Sequence, residues 1–212
     1  MDHRGPGARL VVATTNAGKL REIRALLDGA PFRILSLADF RAVPAPEETG
    51  ETFAENARAK AFYYAAATRE LTVAEDSGLE IDALDGIPGV ESARYGGADA
   101  PYPEKFARIY NALRAKGATG SAARFVCAAA LVMPSASGDR LLFETQGVIE
   151  GCIAPEPKGE GGFGYDPIFY YPPFGGTLAE AGGDRKAAVS HRGHAFRNLR
   201  RFLVDQFLDF ES

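Results

Sequence analysis

The apolar positions of this chain fall into short runs with two different periods. Residues 10–14 form a continuous apolar run that stops at Thr15-Asn16-Ala17-Gly18, after which Leu20, Ile23, Leu26 and Leu27 recur at helical spacing. The pattern predicts a strand, a loop and a helix entered directly from that loop. Thr52-Phe53-Ala54-Glu55 has the spacing of a capping box, and an Ala-rich helix is expected behind it to about Ala67. Residues 71–75 read as a short strand and 79–84 as a second one that alternates apolar and acidic side chains, with Asp76 at a strand-to-turn transition. Asp85-Gly86-Ile87-Pro88-Gly89 then breaks the pattern.

Phe106, Ile109, Tyr110 and Leu113 mark a helix ended by Gly117. Residues 124–133 and 141–152 read as two long strands around a turn at 134–139, expected to pair as a hairpin. A Gly-rich loop at 155–166 leads into a strand at 168–170. Leu199, Phe202, Leu203, Gln206, Phe207 and Phe210 give a C-terminal helix with a buried stripe. Strands mixed with helices predict an α/β fold: two lobes around a long central mixed β-sheet with flanking helices and an active-site cleft between the lobes.

Composition narrows the class. A chain of 212 residues with 46% hydrophobic and 25% charged positions is an ordinary globular one, able to bury a substantial core. No apolar run approaches the roughly 20 residues of a membrane span, and the N-terminus lacks the apolar stretch of a signal peptide. A net charge of −4 argues against a stable nucleic-acid complex. Cys127 and Cys152 stand in apolar strand-like runs without metal-ligand spacing, so two buried structural thiols and a reducing cytoplasmic setting are expected.

Four segments carry candidate chemistry. Thr14-Thr15-Asn16-Ala17-Gly18-Lys19 places a small-residue turn and a lysine at a helix start, which suits phosphate through free backbone N–H groups and the positive helix end. It is not a Walker A loop, because Ala13 replaces the first glycine and Leu20 the magnesium-binding hydroxyl. A plain strand-to-helix turn with a solvated lysine would look the same. Glu47 and Glu48 before the capped helix, and Glu75-Asp76 at the end of a strand, offer the hard oxygen ligands that magnesium takes; solvated surface acids are the alternative. Asn56 and Lys60, four apart on the capped helix, would reach a phosphate or order the acidic pair, or else line a solvated face.

Phe163 and Tyr165, in Gly161-Gly162-Phe163-Gly164-Tyr165-Asp166-Pro167, would stack on a base, with Asp166 accepting a hydrogen bond; a tight connection with incidental aromatics is equally compatible. Lys186 and Ser190-His191-Arg192-Gly193 supply donors for a keto oxygen or for phosphate. His191 and His194 have no further ligand spacing, which disfavours zinc.

In this order and spacing the segments resemble the inosine/xanthosine triphosphate pyrophosphatase family over nearly the whole chain. The resemblance is carried by Thr14–Lys19, by the stretch from Glu48 to Ala61, by the AEDSGLEIDAL block from Ala74 through Tyr95, by GGFGYDP at 161–167 and by SHRG at 190–193. It departs at Thr15, often Gly or Ser, and at residues 182–185, which replace a more acidic run and leave the start of that helix open.

The resemblance implies hydrolysis of deaminated purine nucleoside triphosphates (ITP, dITP, XTP) to monophosphate and pyrophosphate. It implies Mg2+ on Glu47 and Asp76, with Asp76 also the catalytic base. Thr14, Thr15, Asn16, Ala17, Gly18 and Lys19 would cradle the triphosphate with Lys60. Ser77, Phe163, Gly164, Tyr165, Asp166, Lys186, His191 and Arg192 would line the nucleotide pocket, Arg192 and His191 favouring a 6-keto group. It further implies a homodimer, and one catalytic domain over residues 10–210 behind a flexible tail at 1–9. A related septum-associated pyrophosphatase, a non-catalytic nucleotide-binding module and a P-loop phosphotransferase are the rival readings. The intact SHRG, the retained carboxylates and the broken Walker pattern, respectively, disfavour them.

Overall fold

In the computed structural model residues 8–97 and 99–208 are described, without the side chains of 207 and 208. Most of the expected tail, and Phe210 of the expected stripe, lie outside them; Ala8 is already buried and Arg9 opens the first strand. The described elements are β1 (Arg9–Val12), α1 (Ala17–Leu26), β2 (Arg33–Ser36), α2 (Phe53–Thr68), β3 (Leu71–Ile81), α3 (Tyr102–Ala115), β4 (Ala122–Met133), β5 (Arg140–Ile153), β6 (Phe169–Tyr171), β7 (Gly176–Thr177), α4 (Gly183–Val189) and α5 (His191–Leu208). The strands form one mixed sheet in the order β2-β1-β3-β4-β5-β6-β7. β1 is parallel to β2 and β3, and β6 is antiparallel to β5 and β7. The expected mixed α/β architecture is therefore observed, with β2 and β7 as additions that the sequence pattern did not predict.

The local signals explain most elements. α2 starts at the capping box: Thr52 Oγ1 accepts from Glu55 N at 3.2 Å, and Glu55 Oε2 accepts from Thr52 N at 3.2 Å. It ends at Arg69 in the left-handed region, φ 57°. Phe53, Ala57, Ala61, Tyr64, Ala65 and Thr68 form its buried stripe, and Asn56 shares it.

One expectation is corrected. Residues 71–84 do not form two strands parted at Asp76-Ser77-Gly78; β3 runs unbroken from Leu71 to Ile81. Gly78 is there for proximity rather than for a turn. A Cβ on it would lie 2.3 Å from Ser92 Oγ and 2.5 Å from the Gly89 carbonyl oxygen, so a neighbouring loop packs directly on the strand backbone. Ser92 Oγ accepts from Leu79 N at 2.9 Å, which fixes that approach.

Contacts divide the chain into two units. The first holds the residues up to Asp76, Cys127–Gly147 and the residues from Arg192 on; the second holds Ser77–Val126 and Val148–His191. In the first, Leu10, Val12, Ile23, Leu27, Leu71 and Val73 pack with Cys127, Ala129, Leu131 and with Ala195, Phe196, Leu199, Leu203 of α5. In the second, Leu79, Ile81, Phe106, Ile109, Phe125, Ile149, Tyr165, Ile168 and Phe169 are among the core residues. Among the described residues no helix is long and apolar enough to cross a membrane.

Candidate active site

Strand alternation sets the geometry of the acidic pair. Successive side chains on β3 point to opposite faces, so Glu75 joins Leu71 and Val73 over the core of the first unit, while Asp76 faces α2. Both acids are buried, at 3% and 5% exposure. Asn56 Nδ2 of α2 donates to Asp76 Oδ2 at 3.0 Å, and the Lys60 ammonium lies 3.3 Å from Asp76 Oδ1 and 2.6 Å from Glu48 Oε1. Asn56 Oδ1 in turn accepts from Gly50 N at 2.8 Å, tying the segment before α2 to the same site.

The charges shape one another. Burial pushes the Asp76 carboxyl above its ordinary value; Lys60 opposes that, and Glu48 adds to it. Burial works against the Lys60 ammonium, yet Asp76, Glu75 and Glu48 together hold its pKa above normal. Burial alone would raise Glu75 too, but Lys19, Arg192 and Lys60 outweigh it and hold the carboxyl well below the usual carboxylate range.

The Thr14–Lys19 segment enters α1 as expected, with one correction. Its N–H groups are not all free: Asn16 is the N-cap, and its Oδ1 accepts from Gly18 N at 2.9 Å and Lys19 N at 3.1 Å. Asn16 N is taken by Thr14 Oγ1 at 3.2 Å. Thr15, Asn16 and Ala17 are exposed. The Lys19 ammonium sits 2.7 Å from Glu75 Oε1.

Arg192 is 2% exposed. Its guanidinium meets Glu22 Oε2 at 2.6 Å and Glu75 Oε2 at 3.6 Å, so it is held on acids rather than displayed as an open donor. Glu47 is exposed, with no hydrogen bond or ion pair found for it among the described residues. Its neighbour Glu48 is the acid that meets Lys60.

In the second unit, Asp166 Oδ2 accepts from Phe163 N at 2.8 Å within a tight glycine turn, and from Lys186 Nζ of α4 at 2.6 Å. Gly162 at φ +71° allows this closure: a Cβ there would lie 2.1 Å from Asp166 Oδ2. The Lys186 ammonium sits 4.7 Å from the centroid of the Phe163 ring. Tyr165, expected as a stacking ring, is instead core: 4% exposed, it donates to Ser92 O at 2.8 Å and meets Tyr102 edge-on at 5.2 Å. Gly164 next to it takes φ +70°. His191 stacks on Phe125 with ring centroids 4.8 Å apart, and Ser77 lies half-buried in β3.

With this geometry in place, comparison with known proteins identifies the lineage. The sequence model of the Ham1 family matches residues 10–202. The chain belongs to the Ham1 family. Its curated relatives include the dITP/XTP pyrophosphatase of Geobacter sulfurreducens, 48% identical over 92% of this chain and 96% of that protein. Another, from an Exiguobacterium species, is 46% identical over 92% of this chain and 97% of that one. Among solved structures, a HAM1 protein from Coxiella burnetii superposes with a TM-score of 0.85 at 42% identity, over 93% of this chain and 98% of that one. A nucleoside-triphosphatase / dITP/XTP pyrophosphatase from Mycobacterium abscessus gives 0.70 at 37%, over 90% and 97%.

For a Ham1 chain the site also contains residues that the motif reading left out. From the sequence, Glu48 and Glu75 are only carboxylates on offer to magnesium, and Asn56 is a side chain that reaches a phosphate, orders the acidic pair or lines a solvated face. Asn56 had a signal: it is a polar side chain in the apolar stripe of α2, where burial demands a hydrogen-bonding partner. Glu75 had one as well, because it falls in phase with the buried Leu71 and Val73.

Proposed function

We propose that this Ham1 chain hydrolyses ITP, dITP and XTP to the nucleoside monophosphate and pyrophosphate. The observation that carries the reading is Asp76: a buried carboxylate oriented by Asn56 and Lys60, with Glu48 on the same ammonium. The dITP/XTP pyrophosphatase names of relatives at 46–48% identity support the substrate class.

The oxygens on offer to magnesium are the carboxylates of Asp76 and Glu48, which share the Lys60 ammonium and are hard donors of the kind that ion takes. Glu47 and Asp76 would hold it, and its chemistry there is neutralisation of phosphate charge. Lys19 and Lys60 would bind the phosphates, and the exposed Thr15–Ala17 turn would admit them. Asp76 would orient a water on the α-phosphorus and accept its proton, burial favouring the protonated product of that step. Phe163, Asp166 and Lys186 would contact the nucleotide with His191, Arg192, Ser77 and the backbone of Gly164 and Tyr165, whose ring is taken up in the core. A purine with a 6-keto group would satisfy donors that adenine leaves unpaired. The reading includes one catalytic domain over 10–210, a homodimer, a cytoplasmic setting and no stable nucleic-acid complex.

The test is a nucleotide panel with magnesium that separates pyrophosphate from phosphate release. Pyrophosphate from dITP, ITP and XTP but not ATP is expected, and Asp76→Asn should cut kcat roughly 10²- to 10⁴-fold. Phosphate release, equal use of ATP, or a near-normal Asp76→Asn rate would overturn the assignment.

A further inference from the structure

Glu75 is the most deeply buried acid of the site, and the proposed reaction gives it no task. Its side chain is 1% exposed. Four groups from three elements converge behind β3. Lys19 and Glu22 come from α1, Arg192 from the start of α5 and Cys127 from β4. Lys19 Nζ lies 2.7 Å from Glu75 Oε1; Cys127 Sγ donates to Oε2 at 3.3 Å; the Arg192 guanidinium is 3.6 Å from Oε2 and 2.6 Å from Glu22. Two cations and two carboxylates balance, so the Glu75 and Arg192 charges are buried beside opposite ones rather than alone.

We infer that Glu75 is a positioning residue: its carboxylate fixes the Lys19 ammonium and the Arg192 guanidinium, and it does not enter the coordination of the metal. The strand face decides between the two roles. Asp76 points toward α2, and Glu75 points the other way, with Oε2 accepting from the Cys127 thiol beside the Arg192 guanidinium and Oε1 in an ion pair with the Lys19 ammonium. Lys19 and Glu22 are the partly exposed members, at 18% and 24% of their side chains, and Lys19 stands on a helix that opens directly from the exposed turn. Held from behind by a fixed anion, its ammonium meets an incoming phosphate without first being ordered. Cys127 serves the same anchor, being buried completely and unavailable for chemistry.

The inference rests on the reading of Lys19 as a phosphate-binding residue, and its test keeps the two apart. Full-length wild type and Glu75→Gln are acylated with an N-hydroxysuccinimide ester without nucleotide, and Lys19 labelling is followed by peptide mass spectrometry. Loss of the buried partner should speed labelling of Lys19 roughly fivefold or more. With dITP the same variant should lose about 10- to 100-fold in kcat, as a misplaced group does, while the magnesium concentration for half-activity stays within about twofold. Unchanged Lys19 labelling overturns the anchor, and a roughly tenfold rise in that magnesium requirement reassigns Glu75 as a metal ligand.

Should Glu75→Gln fail to fold, a crystal structure of the wild type with magnesium and a non-hydrolysable dITP analogue decides. Lys19 and Arg192 are expected still on Glu75; a Glu75 oxygen about 2.0–2.1 Å from the metal refutes the inference. Wild type inactive on dITP would sink the proposed function, while the labelling result would still decide the anchor.

Discussion

Replacing Asn56 with alanine tests the orientation of Asp76 most directly. The amide is 1% exposed and bridges two groups, donating to Asp76 Oδ2 at 3.0 Å and accepting from Gly50 N at 2.8 Å. A hydrogen bond to a charged partner contributes about 1.5–3 kcal/mol, and an amide left dry costs about 1–3 kcal/mol. Gly50 is half-buried, so water restores part of the second term, and the sum falls at about 2–4 kcal/mol. For a chain of this length each kcal/mol lowers Tm by about 2–4 °C, giving a drop of roughly 5–15 °C. Asp76 would then turn freely toward Lys60, and a loss of about 10- to 100-fold in kcat is expected from its misplacement. Asn56→Asp keeps an acceptor for Gly50 but sets a second carboxylate against Asp76 Oδ2, so it should lower kcat at least as far as alanine does. Differential scanning calorimetry and a coupled pyrophosphate assay on dITP measure both effects. An alanine variant melting within about 2 °C of wild type and retaining more than about half its rate would refute the reasoning.

Gly78→Ala should cost about 1–3 kcal/mol in urea unfolding, since the added methyl meets a backbone carbonyl that cannot step aside; an unchanged midpoint would contradict the close approach. In the native protein a thiol reagent should modify the half-buried Cys152 first and reach Cys127 only on unfolding. Burial and then Glu75 push the Cys127 thiol well above its ordinary value, and two equally fast thiols would refute this. Tyr110 donates to Ala154 O at 3.0 Å, and burial, then Glu156, push its pKa from 10.0 up to about 12. Its raised folded value means that its contribution is complete below pH 10 and is lost as pH rises towards 12. The urea midpoint should therefore fall more steeply across that window in wild type than in Tyr110→Phe, and equal slopes would overturn the assignment.

What the sequence revealed was what local chemistry decides. The capping box at Thr52 and the helix entry at Asn16 depend on groups within three or four residues, and both form as read. The break expected at Asp76-Ser77-Gly78 did not form, because the glycine answers to Ser92 and Gly89, which only the fold brings onto β3. The glycine-rich motif around Tyr165 predicts a stacking ring, but its hydroxyl bonds Ser92 O in the core. Glu75 could be placed on the buried face by its phase, but not given partners: Lys19, Cys127 and Arg192 reach it from elements that no periodicity links.

The core of the first unit carries a consequence for how the chain is made. Its apolar cluster is drawn from Leu10–Val73, then Cys127–Leu131, then Ala195–Leu203. A ribosome adds about 5–20 residues per second, so the earliest strands wait on the order of ten seconds for the helix that covers them. Until then Leu10, Ile23 and Val73 meet the solvent with an uncovered apolar face, open to a holdase chaperone or to another nascent chain. A messenger truncated before the codon for Ala195 would release a product that never closes this core, and quality-control proteases would see it as unfolded however intact its nucleotide motifs.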